Sequence, residues 1–418
     1  MRTFFIFLIC MVVTGLPVQS QNLDPFSPTV SRSESEILQE VLKVADTDPQ
    51  AALALLNKER GEDSSAALEF TLGNLYFQAA KYEEAAGQYE DALIKFPHFR
   101  DAKINLGRVY LLLERTDDAV KVYQELVRDG IADAETYNLL GHAFMMEGKS
   151  VSAETAYRHA LMLDEKGLEA RQGLLNCLLV QNRNAEVLGL SEELIAEDAT
   201  QRSYWSARAN AQLSLEEYDE AARSLEQARR LGVADAEMLS MLGQLYLQEA
   251  LPAEAVLRLK EAFAMGELSP ARKEQAIRGL MQLGRWEDAE QLMSEIKDGN
   301  TDWMYSLKAR LEMEKGNVND AGRLLKIALE ADPMDGELLL MKAELQQVQG
   351  ETDLARLTLE RLSRVEGYEA DALIALARME VDRREWASAV KLLERAMVFE
   401  KQPHLQNYIE QLRRMNAQ

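Results

Sequence analysis

The sequence predicts an all-α solenoid built from stacked pairs of helices, because small residues recur along the chain with a period of 34. The first series contains mostly glycine: Gly73, Gly107, Gly141, Leu175, Ala209 and Gly243. The second is alanine in all but one place: Ala51, Ala85, Ala119, Ala153, Val187, Ala221, Ala255, Ala289, Ala321, Ala355 and Ala389. Its single irregular step, of 32 residues, lies between Ala289 and Ala321. A phase kept over this length is typical of a repeat architecture.

Each repeat is predicted to form two amphipathic helices, and we number its residues as positions 1 to 34, counting from residue 32 of the chain. Apolar residues in the repeat that begins at 66 follow the helical period: Phe70, Leu72, Leu75 and Tyr76 in the front helix, and Tyr82, Ala85, Tyr89, Ala92 and Leu93 in the back helix. Small residues at positions 8 and 20 allow the two backbones to approach closely, and aromatic residues at positions 11 and 24 fill the remaining space. Pro97 and Pro333 fall at position 32, where a helix has to end.

This pattern of small residues, aromatic residues, alanine and proline resembles the tetratricopeptide repeat. The resemblance covers residues 32–403 and is strongest in the repeats that begin at 66, 100, 134 and 236. It is weaker in the first repeat, where Gln39 stands at position 8, and in the repeat at 168, where Val187 and Ser191 occupy positions 20 and 24. The resemblance implies about eleven helix pairs in a right-handed superhelical solenoid.

The chain ends are predicted to lie outside the repeats. Residues 404–418 are expected to form a capping helix that covers the last apolar face of the solenoid, with five residues on its buried side: Leu405, Tyr408, Ile409, Leu412 and Met415. Residues 21–31 are expected to be a flexible N-terminal segment.

Residues 1–20 are predicted to be a secretory signal peptide. Arg2 precedes the apolar stretch 4–13, and the small residues Val18 and Ser20 stand before a cleavage site at Gln21. The stretch is too short for a membrane span, which needs about 20 residues, and we expect no direct span after cleavage. The remaining cysteine, Cys177, cannot form an intramolecular disulfide. We therefore expect an exported protein of the bacterial periplasm, peripheral to the outer membrane.

The composition argues against several classes of function. The formal net charge is −23 without a basic run, so a nucleic acid partner is not expected. The four histidines, His98, His142, His159 and His404, lack metal-ligand spacing. Cys177 and His142 could be neighbours in adjacent repeats, but a buried apolar cysteine is the favoured interpretation. We expect a protein that is not an enzyme and that has no cofactor and no metal.

The stretch "AFMMEGKS", residues 143–150, fits a loose phosphate-binding pattern. Gly148, however, stands at position 15, which is the turn between the two helices of its repeat. Gly284, Gly316 and Gly350 occupy the same position in other repeats. A phosphate-binding loop follows a strand and opens a helix, whereas this glycine is predicted to end one.

The face shared by the front helices is the candidate binding groove. Position 9 is polar in ten repeats, and position 5 is polar in the middle of the chain, where it includes Asn138. Amide side chains can satisfy both a donor and an acceptor of an extended peptide. The alternative is a solvated polar wall without a ligand. The candidate partner-binding residues are Asn74, Arg108, Asn138, His142, Asn176, Asn210, Gln244, Arg278, Arg310 and Arg378.

Two further features bear on the ligand. Arg278, Arg310 and Arg378 predict a locally basic groove that binds a carboxylate-bearing partner. Trp303, at position 2, is a candidate groove anchor. The other three tryptophans are predicted to pack in the core: Trp205, Trp286 and Trp386.

The resemblance implies a non-enzymatic scaffold that binds a protein or peptide partner. Among exported proteins of this family, the layout of a signal peptide followed by uninterrupted repeats is most similar to those that accompany TonB/ExbB/ExbD-type systems. The alternatives are a scaffold for polysaccharide export or outer-membrane assembly, and a self-assembling structural array. The chaperone-tail clamp of some family members uses lysine at position 5, and this sequence has no lysine there.

Overall fold

The computed structural model describes residues 25–61, 63–266, 268–296, 301–399 and 403–416, in which 23 helices and no strand occur. The chain divides into two compact bodies, the N-terminal body up to Glu217 and the C-terminal body from Tyr218. Within each body, front and back helices alternate along the chain, and one final helix ends the C-terminal body. The predicted all-α solenoid with a C-terminal capping helix is confirmed.

Front and back helices alternate in the N-terminal body, and each front helix begins at or next to position 1 of its repeat. The helices are α1 (Arg32–Ala45), α2 (Pro49–Glu59), α3 (Ala66–Gln78), α4 (Tyr82–Lys95), α5 (Arg100–Leu112), α6 (Thr116–Arg128), α7 (Ala134–Met146), α8 (Ser150–Leu163), α9 (Leu168–Val180), α10 (Asn184–Glu197) and α11 (Arg202–Ser214).

The C-terminal body continues the same alternation to the end of the chain. The helices are α12 (Tyr218–Arg230), α13 (Ala236–Gln248), α14 (Pro252–Met265), α15 (Pro270–Gln282), α16 (Trp286–Ser294), α17 (Asp302–Glu314), α18 (Val318–Ala331), α19 (Gly336–Val348), α20 (Thr352–Leu362), α21 (Glu369–Asp382), α22 (Trp386–Phe399) and α23 (Pro403–Asn416). The back helix α16 has only 9 residues and lies where the 32-residue step begins.

Glycine at position 8 packs directly against the aromatic ring at position 24 of the same repeat. A Cβ atom added to Gly107 would lie 2.4 Å from Cζ of Tyr123, and Gly73 and Gly141 meet their tyrosines in the same way. The weak repeat at 168 reverses the two sizes, because Leu175 and Ser191 are both buried there. The combined volume of the two positions is therefore similar in these repeats, although the residue types differ.

The turn between front and back helices has one conformation in ten repeats. Position 15 has a positive φ in all ten, whether or not it is glycine: Ala80, Glu114, Gly148, Asn182, Glu216, Ala250, Gly284, Gly316, Gly350 and Arg384. After Gly148, the backbone N–H of Lys149 donates to the carbonyl of Phe144 at 2.8 Å. This is the hydrogen bond of a Schellman motif. Gly148 thus ends helix α7, and the prediction of a helix terminator is confirmed.

Position 4 carries a buried charge in three repeats of the N-terminal body, and each charge pairs with position 30 of the back helix. Glu69 meets Lys95 at 2.7 Å, Lys103 meets Asp129 at 3.0 Å, and Arg171 meets Glu197 at 2.6 Å. Repeats with an apolar or aromatic residue at position 4 have an apolar residue at position 30, as in Trp205 with Leu231. The two positions therefore vary together within this one chain.

The core consists of several apolar clusters that each span neighbouring repeats. One of them extends from Ala85 to Ala156 through the repeats at 66, 100 and 134. The final cluster brings the capping helix α23 against α22, with Leu405, Ile409 and Leu412 buried. Met415, which we expected on this buried face, is 47% exposed because it lies in the last turn of α23, beyond the buried residues. Stability is thus distributed over the interfaces between neighbours.

The N-terminal segment is described from residue 25 onward. Val30 packs against the first apolar cluster, and the carbonyl of Phe26 accepts a hydrogen bond from the backbone N–H of Arg100 at 3.4 Å. The predicted signal peptide, residues 1–20, lies outside the described residues.

We predict that Gly107→Ala destabilises its repeat by about 1–3 kcal/mol, because the added methyl group overlaps the ring of Tyr123. Hydrogen exchange measured repeat by repeat provides the test, since a solenoid can open locally. The matched control is Gly189→Ala in the exposed face of α10, where an added Cβ meets no atom within 4 Å. The control is expected to gain about 0.5–1 kcal/mol of helix stability. Equal effects of the two substitutions would contradict the close packing.

We also predict that removing both acidic partners of Lys103 destabilises the protein more than replacing Lys103 itself. Lys103 is buried and lies 3.2 Å from Glu125 and 3.0 Å from Asp129. Neutralising both acids, with Glu125→Gln and Asp129→Asn, leaves a buried ammonium unpaired and should cost about 3 kcal/mol. Lys103→Met removes the charge and keeps the shape, so it should cost less than about 1 kcal/mol. Urea denaturation measures both.

The ion pair between Lys103 and Asp129 also makes the free energy of unfolding depend on pH in the acidic range. The Lys103 ammonium lowers the pKa of Asp129, so the contribution of the pair is complete at neutral pH. It is lost as the pH falls below about 4, the range of an unperturbed aspartate, towards the lower pKa of the folded state. Lys103→Met should flatten the acid limb of the stability curve. An unchanged acid limb in this variant would show that other carboxyl groups dominate it.

Candidate functional site

The front helices of the N-terminal body lie side by side, since α5 contacts α7, α7 contacts α9, and α9 contacts α11. Positions 5, 9 and 13 are four residues apart and therefore share one face of each helix. We call the residues at positions 5 and 9 of α7, α9 and α11 the amide face: Asn138, His142, Gln172, Asn176, Ser206 and Asn210.

The first two candidate partner-binding residues, Asn74 and Arg108, already bond to other residues of the protein. Asn74 is buried, and its Oδ1 accepts from the hydroxyl of Tyr89 at 2.7 Å and from Nδ2 of Asn105 at 3.0 Å. Arg108 donates to Oδ1 of Asn105 at 3.2 Å and forms an ion pair with Glu135. These two predicted binding residues connect neighbouring repeats and are not free to bind a partner without breaking those bonds.

The candidate residues at position 9 of α7, α9 and α11 are accessible. His142, Asn176 and Asn210 are exposed on three adjacent front helices. Among the described residues, the Asn210 side chain makes one long contact, of 3.4 Å from its Nδ2 to Oγ of Ser206. Beneath them, the Gln172 amide donates to the hydroxyl of Tyr204 at 2.6 Å, which fixes its orientation. Oδ1 of Asn138 is buried without a hydrogen-bond partner among the described residues. The amide face therefore offers three accessible polar side chains in register.

A row of exposed apolar side chains runs beside the amide face, at position 13. We call Leu112, Met146 and Val180 the rim row; their exposed fractions are 51%, 46% and 62%. Each lies four residues, or about one helical turn, beyond the position 9 side chain of its own helix. We did not predict this row from the sequence, and the signal was weak because Val44 and Val348 are also apolar at position 13.

In the C-terminal body, several side chains at position 9 are charged or partly buried. Arg278 on α15 donates to Glu274 at 2.8 Å and to Glu337 on α19 at 2.9 Å, so it reaches across to the second repeat beyond its own. Arg310 lies 3.3 Å from Glu344. The expectation of a locally basic groove is therefore wrong for these residues, because neighbouring glutamates neutralise them. Arg378 is exposed, and Gln244 is half-buried on α13.

The tryptophans are mostly structural. Trp205 is buried, and its Nε1 donates to the carbonyl of Ala199 at 2.9 Å. Trp386 packs against the cluster of the capping helix. Trp286 and Trp303 are half-buried. The core interpretation is confirmed for Trp205 and Trp386, and the anchor role of Trp303 stays a prediction.

The described residues contain no arrangement that points to catalysis. Cys177 is fully buried with its Sγ 3.3 Å from Sδ of Met145, and burial raises its pKa to about 11. His142, in contrast, is exposed. Over the same ranges, no group of three potential metal ligands occurs, and no helix has the length and apolarity that a membrane crossing requires.

Two open clefts lie outside the amide face. One, of about 560 Å³, is lined by the N-terminal segment and by Asp63, Ser65 and Lys95. The other, of about 460 Å³, lies between α12 and α13, where Asp219 raises the pKa of Glu249. The arginines of this second cleft are paired with their own glutamates, as in Arg230 with Glu226 at 3.4 Å.

Comparison with known proteins supports membership of the tetratricopeptide-repeat superfamily. The tetratricopeptide-repeat family model matches residues 70–134, 206–270 and 306–362, and a PPR repeat model matches residues 276–300. The second match includes the shortened helix α16 and the irregular step.

Two curated relatives and one solved structure illustrate the range of similar proteins. The chain is 31% identical over 102 residues to the Hsp70-Hsp90 organizing protein of Triticum aestivum, covering 24% of this chain and 18% of that protein. It is 24% identical over 209 residues to the TPR repeat-containing protein YpiA of Bacillus subtilis (strain 168), covering 50% and 49%. The chain thus spans half or less of the length of these relatives. A tetratricopeptide repeat protein of Parabacteroides merdae superposes with a TM-score of 0.42 at 21% identity, covering 60% of this chain and all of that one.

We predict an energetic coupling between Arg278 and Glu337, measured by a double-mutant cycle of Arg278→Met and Glu337→Gln in urea denaturation. Both side chains are about one-third exposed, so the coupling should be about 0.5–1 kcal/mol and should fall with added salt. Arg378→Met is the matched control, since Arg378 is exposed at the same position of another repeat. It should be additive with Glu337→Gln. A cycle without coupling would show that the ion pair does not hold the two repeats together.

Proposed function

We propose that the protein is a non-enzymatic scaffold that binds an extended segment of a partner protein on the amide face. The observation that carries this proposal is the exposure of His142, Asn176 and Asn210 on three adjacent front helices. A protein-interaction scaffold is the general role of tetratricopeptide-repeat proteins, and we assign that role to the amide face of this chain.

The chemistry of the amide face supports a peptide backbone as the ligand. Each asparagine side chain carries both a donor and an acceptor, as a peptide unit does. An extended peptide has unpaired N–H and C=O groups along its length, and it can exchange hydrogen bonds with a row of such side chains. The neighbouring cation Arg108 already forms an ion pair with Glu135. Binding to the amide face therefore does not depend on a charged ligand.

The proposed setting is the bacterial cell envelope. It is supported by the N-terminal sequence, which has the charge, apolar stretch and small residues of a secretory signal. Within the envelope we favour a transport system of the TonB/ExbB/ExbD type as the pathway, on the resemblance of layout alone. Cell fractionation tests the location, and recovery in the cytoplasm would overturn it.

The similarity to the Hsp70-Hsp90 organizing protein does not lead us to propose chaperone tails as the ligand. Position 5 contains no lysine in any repeat. The arginines that could have replaced it, Arg278 and Arg310, are paired with glutamates. A ligand recognised through a terminal carboxylate therefore lacks a free cationic site on these residues.

The test selects binding peptides from a displayed random library, with residues 21–418 of the protein as the target. Fluorescence anisotropy with the purified peptides then measures their affinity. We expect Asn176→Ala with Asn210→Ala to weaken binding about tenfold or more, because two hydrogen-bonding groups of about 1 kcal/mol each are lost. Asn319→Ala, at an exposed asparagine of α18, is the matched control and should bind as the wild type does. Selected peptides that bind the double variant equally well would exclude the amide face.

A further inference from the structure

We infer that Arg278 and Glu337 form a salt-sensitive clasp, which holds the front helices α15 and α19 close together across the repeat between them. This inference goes beyond the proposed function, because it concerns the C-terminal body and not the amide face. Three observations carry it: the reach of the Arg278 side chain, the way in which both ends of the clasp are held, and the short back helix α16 beside it.

The Arg278 side chain reaches past the neighbouring repeat. Its Nη1 lies 2.9 Å and 3.0 Å from the two carboxylate oxygens of Glu337, which stands 59 residues further along the chain. Front helix α17 contacts both α15 and α19, so the clasp joins the two neighbours of α17. By contrast, Arg310 at the same position pairs with Glu344 in the adjacent repeat. The clasp can therefore limit the separation of two front helices that have another helix between them in the stack.

Both ends of the clasp are held by other contacts. At the α15 end, Nε of Arg278 donates to Glu274 at 2.8 Å, about one turn earlier in the same helix. At the other end, Glu337 stands in the first turn of α19, where the helix dipole favours a negative charge. Gly336 beside it packs against the ring of Tyr368, since an added Cβ would lie 2.2 Å from Cδ2 of that ring. The guanidinium and the carboxylate therefore lose little conformational freedom when they pair.

The layer of back helices is shortened beside the clasp. Helix α16 has 9 residues, whereas the flanking back helices α14 and α18 have 14 each. At 1.5 Å per residue, α16 is about 7.5 Å shorter. Its last buried residue, Met293, is at position 24, while burial continues to Phe263 at position 28 of its repeat and to Ala328 at position 27. Because neighbour interfaces hold a solenoid together, this joint opens more easily than one with a full-length back helix.

The clasp responds to salt because it is partly solvated. The Arg278 and Glu337 side chains are 34% and 38% exposed. At such exposure an ion pair contributes modestly and is screened by added salt. Loss of the pair should therefore lower the ratio of closed to open joint about two- to fivefold, without unfolding the protein.

The experiment measures the separation of α15 and α19 by double electron–electron resonance, with residues 21–418 of the protein. Spin labels are attached at Gln282→Cys and Val348→Cys, two exposed residues at position 13 of these helices, in a Cys177→Ala background. Between about 0.02 M and about 1 M salt, we expect the ratio of long to short separations to rise about two- to fivefold. Arg278→Met should raise this ratio equally at low salt, and added salt should then have little further effect.

The control labels span a joint with a full-length back helix. They are attached at Gln248→Cys and Gln282→Cys, two exposed residues on α13 and α15, whose intervening back helix is α14. Arg278→Met should leave their separation unchanged. Glu337→Gln removes the pair from its other end, so for the first label pair it should have the same effect as Arg278→Met. The variant with both substitutions should not differ from either single one.

Each alternative result overturns a stated part of this inference. If the separation of α15 and α19 is the same with and without Arg278→Met, the clasp does not hold these helices. If the control labels move equally, the substitution acts on the whole C-terminal body and not on this joint. A response to Arg278→Met without one to Glu337→Gln excludes Glu337 as the partner that matters. The peptide selection tests the proposed function separately, so either can fail without the other.

Discussion

The close approach of the two helices within each repeat is the constraint on which the rest of the structure depends. Gly107 lies against the ring of Tyr123 with no space for a Cβ atom between them. This contact sets the distance between front and back helices, and therefore the direction in which the next pair can stack. Where the sizes are exchanged, as with Leu175 and Ser191, the pair still closes because the total volume is similar.

The period and the two helices of each repeat could be predicted from the sequence because they depend on local and adjacent residues. The size of one residue and the angular spacing of apolar positions determine them. The turn at position 15 shows the same locality, since Glu114 and Arg384 adopt the left-handed conformation without being glycine. The geometry of the helix pair imposes that conformation, and glycine only makes it less costly.

The state of the candidate binding residues could not be predicted, because it depends on side chains from other repeats. Arg278 and Arg378 both occupy position 9 of their repeats. Arg278 donates to Glu337, which lies 59 residues further along the chain, whereas Arg378 is exposed. Asn74 resembles Asn176 in sequence, but Tyr89 and Asn105 take up its oxygen. Polarity at a groove position is consistent with both binding and internal pairing, and only the neighbours decide between them. The exception is the ion pair between positions 4 and 30. Because its opposite charges lie within one repeat, this pairing could have been predicted from the sequence.

The division between paired and free residues has a physical consequence for function. A side chain already held by an ion pair has to lose that pair before it can bind a ligand, so Arg278 and Arg310 begin with an energetic penalty. His142, Asn176 and Asn210 lose only contacts with water or a long hydrogen bond to a neighbour. A ligand therefore gains more from the amide face than from the arginines, even though an isolated arginine makes the stronger hydrogen bond. The choice of surface follows from what each residue gives up on binding, and by that measure the amide face is more favourable than Arg278 and Arg310.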